Sequence, residues 1–206
     1  MTTAAIILAA GASTRLGEPK QLAMLDGETL LRRAVQVARQ AGCSPVIVVL
    51  GASFHEVLAY SLLGDAIPVI NERWQEGMAT SIQSGLKAVS TGLKAVQTGI
   101  AAVGAEVCGV VLMTCDQPAV TAEHLRALMA TGEVTASEYA GRRGVPAYFP
   151  AAVFAQLMQL SGDAGARGLL RGARAVELAA GELDIDTPEA LSEARRRFGG
   201  VTLPPM

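Results

Sequence analysis

Residues 4–20 read Ala4-Ala5-Ile6-Ile7-Leu8-Ala9-Ala10-Gly11-Ala12-Ser13-Thr14-Arg15-Leu16-Gly17-Glu18-Pro19-Lys20. The run from Ala4 to Leu8 is apolar without alternation, the pattern of a strand buried on both faces, as in a parallel sheet. It stops at small residues and Gly11 and passes into a polar loop. Small residues let a backbone approach a ligand, and its N–H groups can then point at phosphate oxygens. Ser13 and Thr14 add hydroxyls, Arg15 and Lys20 add two positive charges, and Pro19 stiffens the approach to Lys20. The spacing matches neither G-x-G-x-x-G nor G-x-x-x-x-G-K-[ST]. A glycine loop with ordinary surface cations is the competing reading of these residues.

The pattern continues outward. Leu30, Leu31, Ala34, Val35, Ala38 and Ala41 recur at helical spacing over Thr29 to Ala41, and Gly42 ends that helix. Val46 to Leu50 reads as a second buried strand, Phe54 to Leu63 as a weak helix and Ile67 to Ile70 as a third strand. Val107 to Met113 reads as a fourth, followed by Thr114-Cys115-Asp116-Gln117-Pro118 and a helix over Thr121 to Met129. This alternation predicts an α/β fold, a doubly wound, Rossmann-like and mostly parallel sheet with helices on both faces. Such sheets bind ligands beyond the carboxyl ends of their strands. An Asp at that place can hold Mg2+, which favours one or two carboxylates plus substrate phosphates. It can equally be a turn or a helix cap.

The later chain reads as a hairpin over Ser137 to Pro150 around Gly141-Arg142-Arg143-Gly144, then a helix over Val153 to Leu160 and a polar loop, Ser161 to Arg167. A last strand near Val176 to Leu178 leads to Asp184-Ile185-Asp186-Thr187-Pro188-Glu189. Thr187 followed by Pro188 is a helix start, with helix expected through Phe198. Residues 1–198 are expected to form one domain and 199–206 a loose tail. Gly85-Leu86-Lys87-Ala88-Val89 recurs as Gly92-Leu93-Lys94-Ala95-Val96, with an echo at Gly99-Ile100-Ala101-Ala102-Val103. A period of seven is too short for a solenoid unit. It reads as a helix lengthened by duplication, ending near Gly99 or Gly104.

Composition narrows the function. The 206 residues suffice for a core without disulfides or metal. Apolar residues at 50% and charged residues at 17% exclude a disordered chain. Aromatics at 4% and a net charge of −2 argue against a base-stacking or phosphate-tracking nucleic-acid partner. Cys43, Cys108 and Cys115 form no C-x-x-C pair and suggest a reducing compartment. The amino end lacks a positive segment and its apolar run is too short to span a bilayer. A cytoplasmic protein without a membrane or nucleic-acid partner is expected.

The opening Leu-Ala-Ala-Gly-x-Ser-x-Arg-x-Gly-x-x-Lys and the Cys115-Asp116-Gln117-Pro118 run resemble the molybdenum cofactor guanylyl- and cytidylyltransferases. Gly77 to Ile82, Gly144 to Phe149, Gly162 to Arg167 and Asp184 to Glu189 are similar to that family's later motifs, in order along nearly the whole chain. The resemblance implies a single nucleotidyltransferase domain of glycosyltransferase-A-like fold. It implies transfer of a nucleoside monophosphate, CMP from CTP if the likeness to the cytidylyl branch holds, to a phosphorylated acceptor such as molybdopterin. Lys20, Arg15 and Asp116 would be catalytic, with Mg2+ on Asp116 and Asp186. Leu8, Ala9, Ala10, Gly11, Ala12, Ser13, Lys20, Asn71, Gly77, Met78 and Ser81 would hold the nucleotide. Pro146, Phe149, Asp163 and Arg167 would face the acceptor. Contact with a molybdoenzyme or its chaperone is a further implied partnership. Two features depart from the pattern: Val145 stands where many relatives carry His, and the 85–103 repeat is an unusual insertion. Transfer to another phosphorylated acceptor and a non-catalytic nucleotide-binding regulator are the alternatives. Intact Lys20 and Asp116 favour an enzyme.

Overall fold

The structure is a computed structural model that describes residues 2–90 and 107–199. In chain order it contains β1 (Thr2–Ala9), β2 (Met24–Leu25), β3 (Glu28–Thr29), α1 (Leu30–Gln40), β4 (Val46–Leu50), α2 (Phe54–Tyr60), β5 (Ile67–Ile70) and α3 (Met78–Ser90). After the gap come β6 (Val107–Thr114), α4 (Ala122–Met129), β7 (Thr135–Tyr139), β8 (Arg142–Pro150), α5 (Phe154–Met158), α6 (Arg167–Leu170), β9 (Arg174–Glu177) and α7 (Pro188–Phe198).

Seven strands form one sheet in the order β5-β4-β1-β6-β8-β7-β9. β5, β4, β1 and β6 are mutually parallel, β8 runs against β6, and β7 and β9 are parallel to each other. The sheet is mostly parallel, as the unbroken apolar runs predict. β1 lies inside the sheet, between β4 and β6, and both of its faces are apolar. Ala5 and Ile7 pack toward α1 and α4, while Ala4, Ile6 and Leu8 pack toward α3 and α5. Ile6 and Ile7 are fully buried, each worth about 1.5–3 kcal/mol of transfer free energy. A third cluster, Leu16, Leu25, Leu30, Ile185 and Leu191, ties the loop after β1 to α7. Among the described residues no helix is long and apolar enough to cross a membrane.

The threonine starts hold. Thr29, Thr121 and Thr187 each accept a hydrogen bond from the backbone N–H three residues on, at 3.2 Å, satisfying donors that a helix start leaves open. The short β2–β3 hairpin was not anticipated from the sequence, although Asp26-Gly27 carries its signal. Both residues have positive φ, 53° and 78°, the conformation for which Asp-Gly is favoured in two-residue turns. The first copy of the repeat lies in α3. A Cβ on Gly85 would sit 2.5 Å from Ile6 Cγ2, so its helix-propensity cost of about 1 kcal/mol is the condition for seating α3 on β1. The other copies, and the expected helix end near Gly99 or Gly104, lie outside the described residues, as do residues 200–206 of the expected tail.

His124 is a packed structural group. Ser137 Oγ donates to the Pro146 carbonyl at 2.6 Å; its hydrogen being spent, the 2.7 Å contact with His124 Nε2 has the imidazole as donor. Burial lowers the His124 pKa below its ordinary 6.5. The unfolded chain therefore takes up a proton more readily. Stability contributed by neutral His124 is fully present above pH 6.5 and is lost as pH falls from there toward the lowered native value. Urea midpoints at pH 5.5 and 8 should differ less in His124→Gln than in wild type. An unchanged difference would contradict this reading.

Candidate active site

The strand order turns back at β1. From it the chain steps to β4 and β5 on one side, and β6 lies on the other. Leu8 pairs with Thr114, so the loop leaving β1 and the turn leaving β6 start side by side. This is the switch point at which open α/β sheets bind ligands. Residues 10–20 and Asp116 are neighbours for that reason, despite about a hundred intervening positions.

Local contacts then aim the lysine. Ser13 takes a positive φ of 53°, and its carbonyl accepts from Leu16 N at 3.1 Å. Its hydroxyl oxygen accepts from Lys20 N at 3.0 Å, leaving the hydroxyl hydrogen free to donate. Gln21 is buried and donates to the Ala9 carbonyl at 2.6 Å, pinning the short 3-10 turn Lys20–Leu22 against the end of β1.

Lys20 Nζ donates to Asp116 Oδ2 at 2.7 Å and is also hydrogen-bonded to Asp186 Oδ1. Arg15 Nη2 reaches the other oxygen of Asp186 at 2.7 Å. Asp186 is delivered by Ile185, whose N–H donates to the Asp116 carbonyl at 2.9 Å and whose side chain is fully buried in the third cluster. Burial works against the Lys20 ammonium, but Asp116 and Asp186 more than offset it and hold its pKa above the usual lysine range. The two aspartates thus turn hard oxygen donors toward one point. That donor set suits Mg2+ or Mn2+, so the residues fit the divalent cation that the sequence implied.

A cleft of about 950 Å3 opens beside this group. Lys20, Asp116, Asp184 and Asp186 line it together with Met78, Val145, Asp163 and Arg167. Asp184 was not picked out from the sequence. Its signal is the Asp-Ile-Asp run: two positions apart in extended chain, Asp184 and Asp186 face the same side while Ile185 faces the core. Burial, then Asp116, then Asp186 raise the Asp184 pKa to about 6. Gln117 lines the same cleft and donates to the Gly181 carbonyl at 3.2 Å. Cys115 beside it is buried, and burial first pushes its thiol up to about 12. It is packed and not poised to react.

The other expected site residues fall in different places. Leu8, Ala9 and Ala10 are buried at the end of β1, whereas Gly11 is exposed and a Cβ there would meet nothing within 4 Å. Ala12 is exposed and Ser13 half-buried on the same loop. Asn71 and Ser81 are buried and satisfy each other, Asn71 Nδ2 donating to Thr80 Oγ1 at 2.9 Å and to Ser81 Oγ at 3.0 Å. Gly77 has φ +109°, and a Cβ there would lie 2.6 Å from the Gly162 carbonyl carbon. Its glycine permits a close backbone crossing that sets Met78 beside Asp163. Phe149 is fully buried, paired with Val110 across β6 and β8, and is not in the cleft. Pro146 does not line it either, its carbonyl being held by Ser137.

This sheet, with a cationic loop and paired carboxylates at its switch point, is that of a nucleotidyltransferase. The chain belongs to the family described as the MobA-like NTP transferase domain, whose model matches residues 5–179. Its relatives include "Purine catabolism protein PucB" of Bacillus subtilis (strain 168), 32% identical over 93% of this chain and 95% of that protein. "Nicotine blue oxidoreductase" of Paenarthrobacter nicotinovorans is 31% identical over 81% of this chain and 80% of that one. Among solved structures, Rv0371c from Mycobacterium tuberculosis H37Rv superposes with a TM-score of 0.78 at 30% identity, covering 95% of this chain and 98% of its own. A manganese complex of the same protein superposes with a TM-score of 0.74 at 29% identity, covering 96% of this chain and all of that one.

Gly11 offers a test that separates folding from binding. Its surroundings are open and its φ is not left-handed. Gly11→Ala should leave the unfolding free energy within about 0.5 kcal/mol of wild type, yet weaken nucleoside triphosphate binding at least about tenfold, because the loop backbone is expected to meet phosphate there. Equal triphosphate affinities by calorimetry would remove the loop backbone from the site.

Proposed function

We propose that the protein transfers CMP from CTP to the phosphate of an acceptor such as molybdopterin, releasing pyrophosphate, with Mg2+ as the divalent cation. The observation that carries this reading is the placement of Lys20 and Arg15, from the loop after β1, on the carboxylates of Asp116 and Asp186 that line the cleft. CTP and molybdopterin are supported by the motif likeness, and the molybdopterin-type acceptor also by the family. The free thiols of Cys43, Cys108 and Cys115 accord with action in the cytoplasm.

An acceptor phosphate oxygen attacks the α-phosphorus, a new P–O bond forms, and the bond to the β-phosphate oxygen breaks with its electron pair leaving on pyrophosphate. The attacking oxygen is already anionic, so no strong base is required. What the reaction needs is order and charge. Lys20 and Arg15 supply fixed positive charge against the triphosphate, and the Ser13 hydroxyl and loop N–H groups can donate to its oxygens. Asp116 and Asp186 would hold Mg2+, which when bound neutralises phosphate oxygens. The cleft seats the acceptor on the side of Asp163 and Arg167. Val145 presents an aliphatic side chain there, so that contact with the acceptor is one of packing.

A thermal-shift panel of CTP, GTP, ATP and UTP with Mg2+ tests the donor. A ligand at 100-fold over its Kd stabilises the native state by about 2.7 kcal/mol. CTP should give the largest shift, and pyrophosphate release should require the same nucleotide with acceptor. A larger shift with GTP would overturn the cytidylyl assignment, and no shift with any of the four would overturn the transferase reading.

A further inference from the structure

The same cleft is lined by four arginines. Arg142 and Arg143 come from the start of β8, Arg167 from α6 and Arg171 from just beyond it, and all four line the cavity. Elsewhere on the surface arginines commonly close on carboxylates: Arg32 on Glu28, Arg39 on Asp65, Arg73 on Glu76 and Arg197 on Glu193. Among the described residues none of the four cleft arginines makes an ion pair, although Glu138, Asp163 and Asp184 line the same cavity and Asp184 feels the Arg142 charge.

Arg167 opens α6 and Arg171 follows its last residue, and Arg142 and Arg143 add two more positive groups to the same cleft. The chain as a whole is slightly acidic, at net −2, so this cluster does not follow from a general excess of base. It is also partly pre-ordered. Arg143 Nη1 donates to the Arg171 carbonyl at 2.9 Å. The Arg142 guanidinium lies 5.4 Å from the Tyr139 ring centroid, a cation–π placement that holds the group by its face and leaves its N–H edge to bind. Tyr139 is itself fixed, its hydroxyl donating to the Val145 carbonyl at 3.1 Å. Planar guanidinium forks in one cleft match the oxygens of a phosphate or a similar oxyanion.

We infer that Arg142, Arg143, Arg167 and Arg171 form a second anion subsite, so that the acceptor is polyanionic. One phosphate attacks beside Lys20, and a further oxyanion group is held by these arginines. This rests on the transferase reading, with the donor nucleotide on the loop after β1 and the acceptor in the cleft.

The test saturates the donor site with Mg2+ and the unreactive α,β-methylene analogue of CTP, then titrates inorganic phosphate by calorimetry. Wild type should bind phosphate saturably. Arg142→Ala/Arg171→Ala should weaken that binding at least tenfold while its affinity for the nucleotide analogue stays within twofold of wild type, which also reports that the variant is folded. Arg142→Lys/Arg171→Lys should fall between the two, because charge is kept and the forked geometry is lost. Phosphate binding that is absent, or equal in wild type and the alanine variant, would overturn the subsite. Failure of wild type to bind the analogue or any of the four nucleotides would overturn the transferase reading instead, and the same titration without nucleotide would still decide the arginine subsite.

Discussion

Lys20→Ala is expected to lower the rate of CTP-dependent pyrophosphate release by about 10²–10³-fold, the range for removing one preorganised donor from a developing oxyanion. Lys20 is the group that joins the two halves of the site, through Asp116 from β6 and Asp186 from before α7. Its ammonium is mostly shielded, with the side chain 16% exposed, so a mobile surface lysine cannot replace it. Losing it also leaves Asp116 without its cation, with only Arg15 still on Asp186. The variant should therefore bind Mn2+ alone about tenfold more tightly than wild type, and Mn2+ should raise its melting temperature by more. Turnover at the wild-type rate would remove Lys20 from catalysis. Unchanged Mn2+ affinity would show that the two carboxylates do not converge in solution.

Asp116→Asn should cost at least about 10²-fold in the same assay, since a bound cation is worth several kcal/mol of charge stabilisation and each 1.36 kcal/mol is a factor of ten. The amide keeps the shape, and the backbone carbonyl that accepts from Ile185 N is untouched, so the fold should persist. The distinguishing readout is Mn2+ binding, which should weaken at least tenfold, opposite in sign to Lys20→Ala. A variant with full activity, or with activity indifferent to Mg2+, would exclude Asp116 as a metal ligand.

Much of this was legible in the residues. Ala4 to Leu8 is apolar on both faces and becomes an inner strand, and Val107 to Met113 becomes its neighbour at the middle of the sheet, which sets Asp116 beside the glycine loop. Other features depend on tertiary partners that local pattern does not encode. Asn71 and Ser81 sit in segments similar to a nucleotide-binding motif, yet their side chains are turned into each other. Phe149 falls in a motif that resembles an acceptor segment, but it lies in the stretch of β8 that is buried on both faces of the sheet. Arg142 and Arg143 read as the tip of a hairpin, because nothing in the hairpin itself reveals that α6 will bring Arg167 and Arg171 to the same cleft. That Lys20, Asp116 and Asp186 meet was expected from the motifs; only the direct hydrogen bonding of Lys20 to both carboxylates was not.

The most direct test is anomalous scattering from Mn2+ in crystals grown with CTP. The account predicts an Mn2+ peak ligated by carboxylate oxygens of Asp116 and Asp186, with the triphosphate on the Gly11–Lys20 loop and Lys20 Nζ against its oxygens. A peak away from both aspartates, or a triphosphate bound out of reach of Lys20, would contradict it.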